Sequence, residues 1–165
     1  MTTTNEVGTD QPNPLISEGT EEFVTFTIAE QLFGISVLKV QDVLSSYQIT
    51  RIPLAPPEIM GSLNLRGRVV TAIDMRARLG LPTRPDDGSS MSIVAEHEHE
   101  LYSLVVDSVG EVLALSTATF ERNPPTLDPK FRTVSDGIFR LDDQLLVVLD
   151  VNRLLDYGGP AAGMN

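Results

Sequence analysis

The stretch GSLNLRGRVVTAIDMRARL, residues 61–79, shows best how this chain folds. Two apolar runs flank Arg66, Gly67 and Arg68, which is typical of two strands joined by a tight turn in which glycine permits a positive φ. Asp74 follows the second run in the position of a helix N-cap, ahead of the short segment MRARL. The stretch therefore predicts a β-hairpin that leads directly into a short helix.

Similar strand patterns recur along the rest of the chain. FVTFTI (23–28) and LFGISV (32–37) alternate or concentrate apolar residues and predict a second hairpin. GIFRLDDQLLVVLD (137–150) predicts a third hairpin, and SIVAEHEHELYSLVVDSVGEVLAL (92–115) predicts two or three further strands. Many short strands separated by turn signals indicate an all-β protein built from small barrels.

Three other segments do not fit a regular strand. VLKVQDVL (37–44) places its valines at helical spacing and predicts a turn or two of helix. RIPLAPPEI (51–59) contains three prolines, so it predicts an extended loop. PTRPDDGSS (82–90) has the composition of an internal linker.

Two short segments resemble each other. TAIDMRARLG (71–80) and VVLDVNRLLD (147–156) each consist of an apolar run, an aspartate, a nearby arginine and a leucine. The similarity predicts a weak internal repeat, in which two small barrels each end in a strand and a capped helix. A chance likeness between apolar strands is the competing interpretation.

Composition limits the classes of function. The 165 residues have a net charge of -11, 41% hydrophobic residues and no cysteine, which excludes disulfides and thiolate chemistry. No apolar run approaches the roughly 20 residues that span a bilayer, and the polar N-terminus predicts a cytoplasmic protein. Residues 51–84 nevertheless contain six arginines against two acids. An acidic protein with one arginine-rich region predicts a local protein-binding patch.

The histidines raise the question of a metal site. Both lie in EHEHE (96–100), and on a strand His97 and His99 would share one face. A metal ion would need a third ligand from elsewhere, so a solvated hairpin tip is the favoured interpretation. We find no phosphate-binding glycine loop and no nucleophile motif. The sequence predicts no catalytic residue, no cofactor and no metal.

Several of these segments together resemble CheW-type chemotaxis coupling proteins. The resemblance runs over roughly residues 22–156, through FVTFTIAEQLFGISVLKVQDVL, ITRIP and LVVDSVGEVLAL. Its most specific part is GSLNLRGRVVTAIDMR, which matches the family's signature. The resemblance implies two five-stranded SH3-like β-barrels packed together with exchanged strands. We therefore expect one domain over 22–157, with barrels at roughly 30–82 and 90–150, between a disordered tail (1–20) and a flexible tail (158–165).

The resemblance also implies a function without chemistry. Such proteins bind the cytoplasmic tip of chemoreceptors and the regulatory domain of a histidine kinase, in arrays at the membrane. Carried over by position, the receptor-binding residues are Val40, Asp42, Gly61, Leu63 and Arg66. The family commonly has Glu at the position of Asp42, so the acid here is one methylene shorter. The kinase contact is expected in the barrel that contains residues 91–115, with no individual residues assigned.

Arg66 is the residue on which this interpretation depends most. A turn between strands fixes the direction of its side chain, and Asp42 is the candidate acid that orients it while other donors face a partner. We expect Arg68, Arg76 and Arg78 to be solvated. The alternative for Arg66 is a stem that only covers apolar surface.

Two other functions compete with the adaptor. A small-barrel nucleic-acid-binding module would need a basic face with interleaved aromatic residues, whereas aromatic residues make up 5% of this acidic chain. A hydrolase that uses the EHEHE segment would lose its activity in a chelator. Both stand below the adaptor.

Overall fold

A computed structural model describes residues 19–45, 47–82 and 90–156. The predicted tails therefore lie outside the described residues, except for Gly19 and for Thr20, which already begins a strand. Residues 83–89 of the predicted linker also lie outside the described residues. The strands are β1 Thr20–Ile28, β2 Gln31–Ser36, β3 Val40–Leu44, β4 Ile59–Leu65, β5 Arg68–Asp74, β6 Met91–His97, β7 Glu100–Val106, β8 Ser108–Ser116, β9 Ser135–Arg140 and β10 Leu145–Leu149. The helices are α1 Met75–Arg78, α2 Pro129–Arg132 and α3 Val151–Leu155.

The strands form two five-stranded sheets, which confirms the predicted all-β class. One sheet has the order β8-β1-β2-β10-β9, and the other has the order β3-β6-β7-β5-β4. In each sheet one pair is parallel, β2 with β10 and β5 with β7, and the other pairs are antiparallel. The two sheets thus share one topology.

Each sheet is closed by a short bridge between its outermost segments. After β3, Thr50 exchanges two backbone hydrogen bonds of 2.7 and 2.8 Å with Ser62 of β4. After β8, Glu121 exchanges two of 2.9 Å with Ile138 of β9. Because the chain that follows one edge strand pairs with the other edge strand, each sheet curls into a barrel. We call them the central barrel (β3–β7) and the terminal barrel (β1, β2, β8–β10).

The strand exchange follows a simple rule. Strands β1–β5 form one half of the chain and β6–β10 form the other. Each half contributes its first two strands to one barrel and its last three to the other. The barrels therefore group the strands differently from the predicted division at roughly 30–82 and 90–150, because β3–β7 run consecutively from residue 40 to 106.

The predicted repeat corresponds to equivalent positions in the two barrels. β5 and β10 are both the fourth strand in their sheet order, and each is followed by an aspartate-capped helix. Asp74 accepts a hydrogen bond from the backbone N–H of Arg76. Asp150 accepts from the backbone N–H groups of Asn152 and Arg153. These side chains satisfy N–H groups that have no partner within the helix.

One hydrophobic core joins the two barrels. Phe26 and Phe33 of the terminal barrel lie in the same buried cluster as Ile73 and Leu104 of the central barrel, together with Leu154 of α3. All five side chains are fully buried. Burial of a side chain of this size stabilises the fold by about 1.5–3 kcal/mol. The shared core fixes the position of one barrel against the other.

The helix predicted over 37–44 is wrong. Residues Val37–Lys39 form one 3-10 turn, and Val40–Leu44 form β3, which pairs antiparallel with β6. The valine spacing fits a helix, but β-branched side chains also favour a strand. Pairing with a partner about fifty residues away decides between the two, and that pairing is invisible to local spacing.

The expectation that Arg76 and Arg78 are solvated is also wrong. Arg76 donates two hydrogen bonds to Asp107, of 3.1 and 2.7 Å, and its side chain is 14% exposed. Arg78 donates from Nε to the carbonyl oxygen of Leu154 at 2.8 Å. Both arginines therefore hold α1 against other elements and leave the arginine-rich region with fewer free charges.

Candidate partner-binding site

The turn between β4 and β5 is a two-residue hairpin turn of Arg66 and Gly67. Both residues have positive φ angles, 51° and 84°. Such turns match the right-handed twist of the strands, and glycine at the second position lowers their cost. Asn64 Oδ1 accepts a hydrogen bond of 3.1 Å from the Gly67 N–H and braces the turn. The backbone therefore holds Arg66 in one direction at the end of the central barrel.

Arg66 forms the ion pair that the sequence predicts. Its Nη1 lies 2.8 Å from Asp42 Oδ2, so the shorter acid of this chain still reaches the guanidinium. The arginine side chain is 74% exposed and the aspartate side chain is 23% exposed. The pair spans from β3 at one edge of the sheet to the β4–β5 turn at the other edge. It therefore lies across the closure of the central barrel.

Asp42 is held firmly from its own strand. Its Oδ1 accepts a hydrogen bond of 2.8 Å from the backbone N–H of Val43. Its Oδ2 is covered by surrounding atoms and has no hydrogen bond of good angle, although Arg66 Nη1 is close. The short distance makes the contact an ion pair, and the arginine side chain remains largely exposed. Arg66 therefore offers most of its donors to solvent or to a partner.

The other predicted site residues lie on β3 and β4 and differ in burial. Val40 is half-buried at the start of β3. Leu63 is 6% exposed and packs in a buried cluster with Val70 and Val94. Gly61 is buried, and a Cβ there would lie 2.2 Å from the carbonyl oxygen of Thr50. Leu63 and Gly61 are thus buried parts of the hairpin, whereas Arg66 is exposed to solvent.

A concave surface lies on the same hairpin. It is lined by Gln48, Thr50, Ser62, Leu63, Asn64 and Val69. Val69 is 73% exposed, which is unusual for a valine in a strand. The sequence analysis did not identify this residue. Two consecutive valines in GRVV do not show which of them faces solvent, and the structure exposes Val69 and buries Val70. An exposed apolar side chain beside a cationic one suits contact with another protein.

The positive charge of this region is smaller than the sequence suggested. Among the described arginines of residues 51–84, Arg51, Arg66 and Arg68 are exposed. Exposure of Arg68 confirms the expectation for it. Arg84 lies outside the described residues. The exposed cations of this region therefore lie at the β4–β5 turn and in the loop before β4.

A second concave surface lies on the terminal barrel and was missed by sequence reasoning. Its floor includes Phe23, Phe139 and Val148, and its rim includes Leu38 and Phe120. Leu38 is 87% exposed and Phe120 is 41% exposed. The signal that could have revealed it is Leu38, an apolar residue in a segment wrongly predicted as helix. This groove is more apolar than the surface beside Arg66, although charged residues such as Lys39 and Asp136 also line it.

The EHEHE segment forms a hairpin tip, as predicted, with one exception. Glu98 and His99 form the two-residue turn and are exposed. His97 ends β6 and is only 8% exposed, so it does not share a solvated face with His99. Its Nδ1 lies 3.2 Å from Asn152 Oδ1 of α3. Packing of α3 against β6 buries His97, and the local sequence does not show that contact.

No helix within the described residues is long and apolar enough to cross a bilayer.

Comparisons with known proteins agree on one family. The CheW-like domain matches residues 22–158. A protein named chemotaxis protein CheW from Klebsiella aerogenes is 33% identical over 138 residues, covering 82% of this chain and 81% of that protein. The protein of the same name from Bacillus subtilis is 29% identical over 137 residues, covering 82% and 87%.

A solved structure supports the fold independently. The crystal structure of the scaffolding protein TtCheW from Thermoanaerobacter tengcongensis matches with a TM-score of 0.74 and 31% identity. The match covers 84% of this chain and 94% of that one. The match spans both barrels of the described fold, as does the family domain. The chain belongs to the CheW-like domain family.

Proposed function

We propose that this chain is a chemotaxis adaptor that couples chemoreceptors to a histidine kinase by binding both proteins. The single observation that carries the proposal is the Arg66–Asp42 ion pair on the signature hairpin. It supports a binding role because it orients an exposed cation without consuming all of its donors. The names of the similar proteins, which refer to chemotaxis and to a scaffold, support the same role.

The receptor surface in this proposal is the β4–β5 hairpin with the adjacent part of β3. Arg66 supplies a directed positive charge, and Val40 and Val69 supply apolar area on either side of the closure. Gly61 and Leu63 act through the backbone and the core, because both are buried. A receptor tip with an acidic or amide group set among apolar residues fits this surface.

The kinase surface in this proposal lies on the central barrel. The expectation placed it in the barrel containing residues 91–115, but β6 and β7 belong to the central barrel and β8 to the terminal one. The loop before β4 exposes Ile52 at 42% and Leu54 completely. Exposed aliphatic residues on a connecting loop support contact with an apolar partner surface. We therefore place the proposed kinase-binding surface on the central barrel rather than on the terminal barrel.

The adaptor works without catalysis in this proposal, in the cytoplasm, and is recruited to receptor arrays at the membrane. The net charge of -11 and the three exposed arginines beside the hairpin do not form the broad basic face that nucleic acid requires. A salt-sensitive gel shift with this chain should therefore show no complex. The adaptor reading is favoured over the nucleic-acid alternative.

The experiment that tests the proposal is reconstitution of the complex. The full chain is mixed with the kinase regulatory domain and a receptor signalling fragment from its own organism and separated by size-exclusion chromatography. We expect both binary complexes and one ternary complex that contains all three proteins. Failure to bind either partner would refute the adaptor function.

A further inference from the structure

Three ligand-type side chains meet at the tip of the β6–β7 hairpin. A ring nitrogen of His97, a carboxylate oxygen of Glu98 and a carboxylate oxygen of Asp156 all lie within 4.8 Å of one another. His97 and Glu98 belong to the central barrel, and Asp156 ends α3, which follows the last strand of the terminal barrel. We propose that these three residues bind a divalent transition-metal ion.

The orientation of His97 is what distinguishes this cluster from ordinary surface acids. The side chain is more than nine-tenths buried, and Nδ1 lies 3.2 Å from Asn152 Oδ1. With Asn152 Oδ1 as the acceptor of this contact, a neutral ring carries its hydrogen on Nδ1 and has a lone pair on Nε2. Nε2 makes no hydrogen bond within the described residues, and Glu98 Oε2 is 3.9 Å away. A hydrogen bond to the opposite ring nitrogen is the arrangement found behind histidines that ligate metals.

The element that holds Asn152 is itself fixed. Its backbone N–H donates a hydrogen bond of 2.9 Å to the N-cap Asp150. The helix packs against the core through Leu154 and Leu155, which are buried. The ring of His97 is therefore held by a contact to a packed helix. Glu98 and Asp156 are exposed, so their side chains can adjust to an ion.

The donor set indicates which ions bind. One imidazole nitrogen with two carboxylate oxygens suits Zn²⁺ and related ions better than Mg²⁺ or Ca²⁺, which prefer oxygen ligands alone. Ligand atoms at about 2.1 Å from a tetrahedral ion lie about 3.4 Å apart, so the two exposed carboxylates need to move by only about an ångström. Water completes the coordination.

A bound ion would tie the two barrels together at the end of α3. This inference does not depend on the adaptor function, because it concerns the stability of the chain alone. At a free ion concentration of 100 times Kd, binding to the folded state raises the unfolding midpoint by roughly 5–10 °C.

The test is binding of Zn²⁺ to the tag-free full chain, after removal of metals with a chelator. Calorimetric titration should show that one Zn²⁺ ion binds per chain. The thermal unfolding midpoint should rise by roughly 5–10 °C, and the NMR signal of His97 Nε2 should shift. Mg²⁺ at the same concentration should leave all three unchanged. Absence of a saturable site in the unmodified chain would overturn the proposal.

Matched variants separate this site from unspecific binding. Asp156→Asn changes an exposed residue and should weaken Zn²⁺ binding at least about tenfold, and Asn152→Ala should weaken it by about 10–100-fold by releasing the ring of His97. His99→Gln, which alters the exposed histidine two residues away, should have no effect. Equal weakening by His99→Gln, or no weakening by Asp156→Asn, would identify an adventitious ion only.

Discussion

The β4–β5 turn of the central barrel and the β9–β10 turn of the terminal barrel join equivalent strands in two sheets of the same order. The first turn contains Arg66 and Gly67, and the second contains Asp142 and Asp143. One is a cationic turn backed by an ion pair; the other is an acidic turn closed by a backbone hydrogen bond from Leu141. The two barrels thus carry opposite charge on equivalent turns, and the proposed receptor binding therefore depends on individual side chains rather than on the fold.

The strongest common feature of the barrels is a glycine at each closure. A Cβ on Gly61 would lie 2.2 Å from the carbonyl oxygen of Thr50, and one on Gly137 would lie 2.4 Å from that of Glu121. Both glycines have φ angles near +155°, at 152° and 157°. At the closure of each barrel, a glycine therefore allows the backbone to pass close to a carbonyl oxygen of the facing segment.

The largest effect we expect is from substitution of these glycines. Gly61→Ala and Gly137→Ala should each lower the free energy of unfolding by about 4 kcal/mol, because strain in the backbone adds to the clash. Urea unfolding followed by circular dichroism measures the loss. Gly67→Ala, which meets nothing within 4 Å, is the control and should cost only about 1 kcal/mol. A large difference between Gly61→Ala and Gly137→Ala would break the equivalence of the barrels.

The second effect concerns receptor binding. Arg66→Glu should weaken binding of a receptor fragment by about 2–5 kcal/mol, because the directed charge is reversed at the interface. Calorimetric titration measures this loss. Arg68→Glu, at an exposed position beside the turn, and Asp142→Lys, on the equivalent turn, should each change binding by less than about 0.5 kcal/mol. Equal losses from Arg66→Glu and Arg68→Glu would show that only the overall charge matters.

The helix caps give a smaller contrast. Asp150 accepts from two backbone N–H groups and from Arg153 Nε, whereas Asp74 caps one N–H. Asp150→Ala should therefore cost about 2 kcal/mol of unfolding free energy and Asp74→Ala about 1 kcal/mol. Thermal unfolding at pH 7 compares them. Equal costs would show that the additional bonds of Asp150 contribute nothing.

Asp150 also predicts a dependence on pH. Burial raises its pKa, but hydrogen bonds from the side chain and backbone of Arg153 and from the backbone of Asn152 outweigh burial, so the pKa is lowered. A lowered pKa in the folded state gives stability that is present above the unfolded value of about 3.9 and is lost below it as the carboxylate is protonated. Unfolding midpoints between pH 5 and about pH 2.5 should fall less steeply in Asp150→Asn than in the unmodified chain. Parallel curves would contradict this role.

The smallest effect is expected for Asp42→Ala. It releases Arg66 from its orientation but leaves the charge, so receptor binding should weaken by about 1 kcal/mol. Combined with Arg66→Glu it should add little, because the two residues act through one contact. A fully additive double variant would mean that Asp42 contacts the receptor by itself.

Local patterns were sufficient for much of this fold. The hairpins of residues 61–79 and 137–150 and the caps Asp74 and Asp150 all depend on neighbours in sequence, and the structure contains each of them. The ion pair of Arg66 with Asp42 was also predicted, but through a family resemblance rather than through spacing.

What the sequence did not reveal depends on distant contacts. Val40 joins a strand because β6 pairs with it. Arg76 is held by Asp107, which is 31 residues away, and His97 is covered by a helix 55 residues away. The assignment of strands to barrels depends in the same way on pairings between the two halves of the chain. Such contacts are properties of the assembled fold.

The measurement that tests the central claim most directly is binding of both partners by one variant, Arg66→Glu. Surface plasmon resonance with the kinase regulatory domain and with a receptor fragment, on the same preparation, gives the two affinities side by side. We expect kinase binding and the unfolding midpoint to stay close to those of the unmodified chain, while receptor binding falls at least about thirtyfold. Unchanged receptor binding, or an equal loss of both partners, would contradict the account that the cationic turn of the central barrel is the receptor site.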